Sequence, residues 1–359
     1  MEDSYMALVP SSQSYQLPLI PAEVLKKHRV FETFDNRFRA CARLLQALWR
    51  ESQQLPIGSH EARDGRQRRI GSLISSAAAD AGRNFLSPEV AHLVRRETIY
   101  QERGALIDKR RLYGNLLSSM PLAFNVFAPL RLNRSLAEKV TRSLVPGIDL
   151  SEVLDVRFEH SPGRNRAELT DDRTAFDVAI RYRRSDGELG LLAIEVKYSE
   201  TGAESSGELS GRYDQLAVTS ELYKSPLSAV LRTAGCQQLF REHLLTFSAL
   251  YRGDYAEARF ILVAPRQNHL VQQAAQLYAS HLLEPGPGAV PFMNVELEQV
   301  IEAIGWAGEL DYAYALHDRY LNWFKLDAVV EEALRAKPGS WTIAAPPVRP
   351  PLALVSRAA

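Results

Sequence analysis

Two cysteines, Cys41 and Cys236, are all that the chain carries. They are too few for a disulfide framework, they lack the spacing of a metal cluster, and they lead us to expect a cytoplasmic protein. No apolar run is long enough to span a bilayer, and no charged n-region followed by an apolar h-region opens the chain, so no membrane association is expected. There is no Walker-type phosphate loop, no GxSxG elbow, no Cys/His zinc spacing and no internal repeat. Net charge is missing too, because 43 Lys and Arg balance 43 Asp and Glu.

What is present is unevenly placed. Residues 1–150 hold 22 basic and 15 acidic side chains, and the remainder mirrors that surplus. A basic first half suits a polyanionic partner; chance unevenness across a large surface is the alternative. With 359 residues, 46% of them hydrophobic, the chain suits one large domain or two smaller ones.

Residues 1–22 are rich in Pro and Ser and are expected to be loosely ordered. Over 30–54, Phe31, Phe34, Phe38, Cys41, Leu45, Leu48 and Trp49 recur at helical spacing. The next piece, "IGSHEARDGRQRRIGS", packs Arg63, Arg66, Arg68 and Arg69 into a Gly-broken loop or helix start. These four are the candidate nucleic-acid surface, with an exposed solubilising loop as the alternative. Ser87-Pro88 supplies an N-cap and a first-turn proline for a helical region over 88–114. Pro121 and Pro129 interrupt the apolar stretch after it, and a short helix then ends at Pro146-Gly147. The first 147 residues therefore read as mostly helical.

The periodicity then changes to two. "EVLDVRFEHSPG" puts Leu154, Val156 and Phe158 on one face and Asp155, Arg157 and Glu159 on the other. "TAFDVAIRYRR" is a second strand, "SDGELG" a hairpin turn, and "LLAIEVKYSE" a third strand, which together make an antiparallel meander. Helices are expected over 212–223, 231–253 and 269–283. A short apolar strand is expected over 258–265, a strand running into a helix over 292–305, and one long helix over 309–336. The tail 337–359 is Pro-rich and reads as extended or disordered.

The third strand is the unusual one. Glu195 and Lys197 project from the same face, ~6.7 Å apart, while Ile194, Val196 and Tyr198 face the other way. The neighbouring strand holds one acid, Asp177, among apolar residues. With Asp186-Gly187 as pivot, residue 177 falls roughly opposite residue 195. Two carboxylates side by side repel one another unless a cation lies between them. Oxygen ligands select a hard ion such as Mg²⁺, which lowers the pKa of bound water and neutralises charge on a phosphate. Lys197 would hold or deprotonate the attacking water and stabilise the transition state. The alternative is a structural ion-pair cluster, although one lysine offsets only half of two acids.

An acid on the second core strand and acid-x-Lys on the third, here Asp177 and Glu195-Val196-Lys197, resemble the PD-(D/E)xK nuclease superfamily. The order of elements resembles its αβββαβ core: a leading helix within 105–145, strands near 152–160, 174–183 and 190–198, the helix 231–251, and the strand "RFILVAP". "LLSSMPLAFNVFAPL", "DDRTAFDVAIRY", "IEVKYSE" and "QLFREHLL" look like a bacterial branch of restriction-endonuclease-like proteins. The resemblance spans about 105–265. It departs from the family at Phe176, where a proline often precedes the first acid.

The resemblance implies a restriction-endonuclease-like α/β fold, a mixed sheet flanked by helices. A basic helical region over 1–104 would precede a nuclease domain over 105–335, with the Pro-rich tail last. The implied activity is Mg²⁺-dependent (Mn²⁺ as substitute) hydrolysis of phosphodiester bonds in DNA, carried by Asp177, Glu195 and Lys197. DNA is the implied partner, and a homodimer is the usual way to cut both strands. A weakly catalytic nucleic-acid-binding or assembly protein on the same fold is the alternative, and a protein–protein scaffold a third.

Secondary candidates carry two readings each. Glu159 is a third metal-binding acid or a solvated strand-end acid. Gln238 and Arg241 orient a phosphate or the metal site, or form the polar stripe of an amphipathic helix. Arg173 clamps a phosphate or caps its loop. Glu138 is an acid of the leading helix or a surface charge, and His160 and His243 read as structural.

Overall fold

The computed structural model describes residues 16–61, 65–200, 209–286 and 288–336. Arg63 and the Pro-rich tail lie outside the described residues.

The chain begins with α1 (Ala22–Lys27) and α2 (Arg37–Ser52). Leu17 and Ile20 are already buried, so the part of the N-terminal segment from residue 16 packs on the core instead of being loose. Helix α2 starts later than its apolar spacing suggests. The Asn36 side chain accepts the Arg39 N–H at 2.8 Å, which fixes the N-cap and leaves Phe34 87% exposed outside the helix.

The described residues of the Arg-rich stretch after it are strands in place of the loop or helix start expected. They form a two-stranded antiparallel hairpin, β1 (Ile57–Glu61) and β2 (Gln67–Ile74). Residues 59–61 and 67–69 are exposed and polar, and only the base of the hairpin is buried, so the strands lack the apolar alternation that marks a half-buried sheet. Arg50 Nε donates to the Gly71 carbonyl at 2.9 Å, tying the base of the hairpin to α2.

Next come α3 (Ser76–Asp80), α4 (Pro88–Ile99) and α5 (Lys109–Gly114). Ser87 caps α4 as expected, but the helix stops at Ile99, and Asp108 caps α5 as a separate element.

Helix α6 (Ser119–Leu132) runs through both prolines expected to interrupt it. Pro121 lies in the first turn, where its missing N–H has no partner to lose. Pro129 is interior, so the Asn125 carbonyl, its i−4 acceptor, loses a donor. The Tyr312 hydroxyl donates to that carbonyl at 2.8 Å in its place. Helix α7 (Arg134–Leu144) follows. In α7, Glu138 accepts the Val153 N–H at 3.3 Å and so secures the start of the next strand, away from the charged strand.

The remaining elements are β3 (Glu152–His160), β4 (Phe176–Arg183), β5 (Leu189–Val196), α8 (Gly211–Ser220), a 3-10 turn over Ala229–Arg232, α9 (Ala234–Tyr251), β6 (Glu257–Ala264), α10 (His269–Ser280), β7 (Phe292–Glu296), α11 (Leu297–Trp306), α12 (Leu310–Tyr320) and α13 (Phe324–Ala336). The last two replace the single long helix expected, broken at 321–323. Strands β3 to β7 form one sheet in that order. The first three are antiparallel and the last two run parallel to β5. The expected meander and core order are therefore present, with β7 extending the sheet. A bulge between Val153 and Asp155 buries Val153 in place of Leu154.

Register between β4 and β5 is guarded by Gly190. It lies opposite Tyr182, and a Cβ there would meet the Tyr182 ring at 2.1 Å. A slip by one residue would put a side chain where that ring lies.

Each sheet face has its own apolar core. Val178, Ile180, Tyr182, Ile194 and Val196 point toward α2, α6, α7, α11 and α12. Phe176, Ala179, Leu191, Ala193 and Leu262 point toward α8, α9 and α10. Within the first core, Arg319 is fully buried, with no carboxylate beside it among the described residues. Its guanidinium lies 3.9 Å from the Trp49 ring centroid and 4.7 Å from that of Tyr320. It donates to Gln46 Oε1 and to the Asn84 carbonyl and side chain. Stacking and three neutral acceptors, one on each nitrogen, hold this cation.

Candidate active site

The site grows from the end of the β4–β5 ladder, on the face covered by α9. Pairing runs from Arg183 opposite Leu189 to Val178 opposite Ile194, so the next position sets Asp177 against Glu195, as the turn geometry led us to expect. There the backbone ladder gives way to a side chain. Asp177 Oδ2 accepts the Val196 N–H at 2.9 Å. Beyond β5, the Lys197 N–H donates to the Val263 carbonyl of β6 at 2.8 Å. The site thus lies where the sheet changes from antiparallel to parallel, at the C-terminal end of β5, the region where open α/β sheets bind ligands.

Lys197 is held from two sides. Its Nζ is 2.7 Å from Glu195 Oε1 and donates to Gln238 Oε1 at 2.6 Å. The Gln238 amide nitrogen donates to Glu195 Oε1 at 2.6 Å and to Glu242 Oε1 at 2.9 Å. Each polar end of the amide therefore has its orientation dictated. A flipped amide would face NH₂ with ammonium and C=O with two carboxylates. Glu195 is 2% exposed and Glu242 3%, and Glu242 Oε2 has no hydrogen-bond partner among the described residues.

The electrostatics are unbalanced. Burial, reinforced by the negative charges of Glu195 and Glu159, pushes the Asp177 carboxyl well above the usual carboxylate range. Burial and Glu195 push Glu159 up to about 7, and burial with Glu195 and Asp177 raises Glu242 well above its ordinary value. Burial alone would lower Lys197, but Glu195, Glu200 and Asp177 outweigh it and hold the ammonium above its usual range. Asp177, Glu195 and Glu242 thus share one ammonium, and Glu159 beside them is opposed by Arg164 and Arg111.

Among the described residues no three His, Cys, Asp or Glu converge into a ready-made metal cage. The donor set still fits a hard cation. It is all oxygen, it carries surplus negative charge, and it includes the unpartnered Glu242 Oε2; such ions keep several waters and need few protein ligands.

The matching family model, the PD-(D/E)XK nuclease superfamily, covers residues 33–322. The chain belongs to that superfamily. Its mixed five-stranded sheet flanked by helices is the superfamily's fold, and membership supports a phosphodiester hydrolase. No curated protein and no solved structure matches the chain.

The other sequence candidates separate from this cluster to different degrees. Glu159 belongs electrostatically to the carboxyl group and makes no side-chain hydrogen bond among the described residues; its backbone has φ 47°. Arg241 turns away: Nη1 donates to Asp172 Oδ2 at 2.8 Å, and its guanidinium covers the Tyr213 ring at 5.1 Å. Tyr213 donates to the same Asp172 oxygen, so Arg241 braces the loop leading into β4. Arg173, on that loop, is exposed.

His160 binds Glu102, which also accepts the Ser161 N–H and pairs with Arg164, so it is structural. So is His243. Its Nε2 donates to the Val290 carbonyl, its Nδ1 accepts from the Tyr278 hydroxyl, and burial lowers it to about 4.

In the hairpin, Arg68 pairs with Glu32 at 2.9 Å. Arg69 lines a small basic hollow with Lys27, Arg29 and Arg50. Arg66 precedes β2.

Sequence reasoning missed Glu242 and Glu200. Glu242 had a legible signal, an acid one helical turn after Gln238 and flanked by Phe240, Leu244 and Leu245. Glu200 accepts the Ser119 N–H at 3.0 Å and the Tyr198 N–H at 2.7 Å, joining the strand end to the first turn of α6. Nothing in its polar surroundings marked it.

Proposed function

We propose that the protein is a metal-dependent nuclease that hydrolyses phosphodiester bonds in DNA, with Asp177, Glu195 and Lys197 as its catalytic residues. The observation that carries this reading is Lys197, its side chain only 12% exposed and fixed between Glu195 and Gln238 next to Asp177, a cation inside a surplus of carboxylates. Asp177 and Glu195, with Glu159 as third acid, would hold Mg²⁺ or Mn²⁺. The ion supplies an acidified water and charge neutralisation at the phosphate.

The protein's own groups do the rest. The carboxylates keep the Lys197 ammonium protonated, so it acts as a fixed positive donor to the attacked phosphate rather than as a base. Gln238 holds that donor in place through its amide oxygen. Asp177, anchored on the Val196 N–H, keeps its second oxygen for the ion. The basic region before residue 104, with Arg66 and Arg69 of the hairpin, contributes phosphate contacts that supply affinity without sequence information. The two buried, unbridged cysteines suit action in the reducing cytoplasm.

Incubation of plasmid DNA with the full chain and Mg²⁺ or Mn²⁺ tests this. Cleavage that EDTA abolishes and Lys197→Ala removes supports the reading. Salt-sensitive binding without cleavage would reduce the chain to a nucleic-acid-binding member of the superfamily.

A further inference from the structure

Between the β1–β2 hairpin and helices α3, α4 and α5 lies a cleft of about 750 Å³. Arg95, Lys109 and Arg110 line it, against one acid among the lining residues, Asp80. All three cations are exposed. Arg95 donates to the Asp80 carbonyl at 2.9 Å. Lys109 and Arg110 make no ion pair or side-chain hydrogen bond among the described residues. Leu112 of the same helix is fully buried, so α5 presents the two cations from an anchored base. Tyr113 also lines the cleft, its hydroxyl 3.2 Å from Thr98 Oγ1.

The cleft and the carboxyl cluster flank one short helix. Arg111, between Arg110 and the buried Leu112, reaches the opposite way, to 3.9 Å from Glu200 Oε1, and its charge is one of those opposing the rise at Glu159. Helix α5 has six residues, about 9 Å of length, which spans two to three stacked nucleotides at roughly 3.4 Å each. The volume is that of a small-ligand site. It admits about two nucleotides and excludes a duplex. Positive charge with apolar and aromatic walls is the chemistry that holds unpaired strands.

We propose that this cleft receives unpaired nucleotides of the strand that passes through the active site, so that the substrate carries a single-stranded segment beside the cut. This rests on the nuclease reading above, and it names the class of nucleic acid that the same site takes.

Fluorescence anisotropy without divalent metal measures the binding step alone. The full chain is titrated onto a blunt duplex, the same duplex with a short 5′ or 3′ single-stranded extension, and a labelled mononucleotide. The extended duplex should bind about tenfold tighter than the blunt one. Lys109→Glu combined with Arg110→Glu should abolish that advantage, leave blunt-duplex affinity unchanged, and reduce the salt slope for the extended duplex by about 1.4, or about 0.7 per phosphate lost. Equal affinity for blunt and extended duplexes overturns the proposal. So does equal weakening of both by the variant, and so does a mononucleotide that binds as tightly as the extension, which would assign the cleft to a free nucleotide. Cleavage with Mg²⁺ is scored separately. Preference for the extension without cleavage sinks the catalytic reading alone, and cleavage without preference sinks the cleft alone.

Discussion

Arg319 is a fully buried cation and Lys197 a largely buried one, on opposite faces of the sheet, and their surroundings differ in kind. Among the described residues Arg319 has no carboxylate in contact. Two aromatic rings and three neutral oxygens hold it. Lys197 sits among carboxyl groups that outnumber it, and one of their oxygens has no partner among the described residues. A buried network that is neutral apart from one satisfied charge rigidifies a core. One that is over-supplied with a single sign stores repulsion that a bound cation relieves. The difference separates a structural cluster from a candidate catalytic one without reference to a motif.

Substitutions sharpen the contrast. The largest effect is expected from Lys197→Ala, which should lower the metal-dependent cleavage rate per folded molecule by about 10³-fold, roughly 4 kcal/mol of barrier, beyond any stability lost as Glu195 is left without its partner. An unaltered rate in a plasmid-nicking time course would remove Lys197 from the chemistry. Arg319→Ala should act on stability alone. Loss of the stacking and of the donors to Asn84 and Gln46 should cost about 3 kcal/mol in urea unfolding, while the variant that remains folded keeps its cleavage rate per molecule.

The third test uses pH. A carboxyl raised in the folded state binds its proton more tightly there than in the unfolded chain. Its contribution is therefore favourable at low pH and is lost as pH rises through the folded value, about 7 for Glu159. Glu159→Gln should consequently stabilise the metal-free protein more at pH 8 than at pH 5, by about 1–2 kcal/mol. Calorimetry should read this as a difference between variant and wild type, because His243, lowered to about 4, adds a slope of the opposite sign below neutrality. A difference that does not vary with pH would place Glu159 outside the cluster. Smallest of all, Glu138→Ala removes a long hydrogen bond at the start of β3 and should cost about 1 kcal/mol of stability without altering cleavage. A large loss of cleavage in that variant would show that the division between the two kinds of polar cluster was drawn in the wrong place.

Much of the candidate site was legible because its information is local. The Asp186-Gly187 turn counts residues along two adjacent strands, so Asp177 and Glu195 could be paired from the chain alone. Glu195 and Lys197 share a face by strand geometry. The hairpin β1–β2 was not legible, because its strands face solvent and carry charges where a buried strand would carry apolar side chains. The continuity of α6 was not legible either. Pro129 does break the local hydrogen-bond ladder, and the repair comes from Tyr312, far along the chain. Arg241 misled for a similar reason. Its helix position suits the site, but Asp172 and Tyr213 on neighbouring segments claim its guanidinium.

The Tyr312 hydroxyl on the Asn125 carbonyl also bears on the timing of synthesis. A ribosome releases α6 long before α12, so the nascent helix emerges with one carbonyl still bound to water. It reaches its final bonding pattern only when the last third of the polypeptide has been made. Fragments ending before residue 310 would contain every strand of the nuclease sheet and still leave the helix beneath it incomplete.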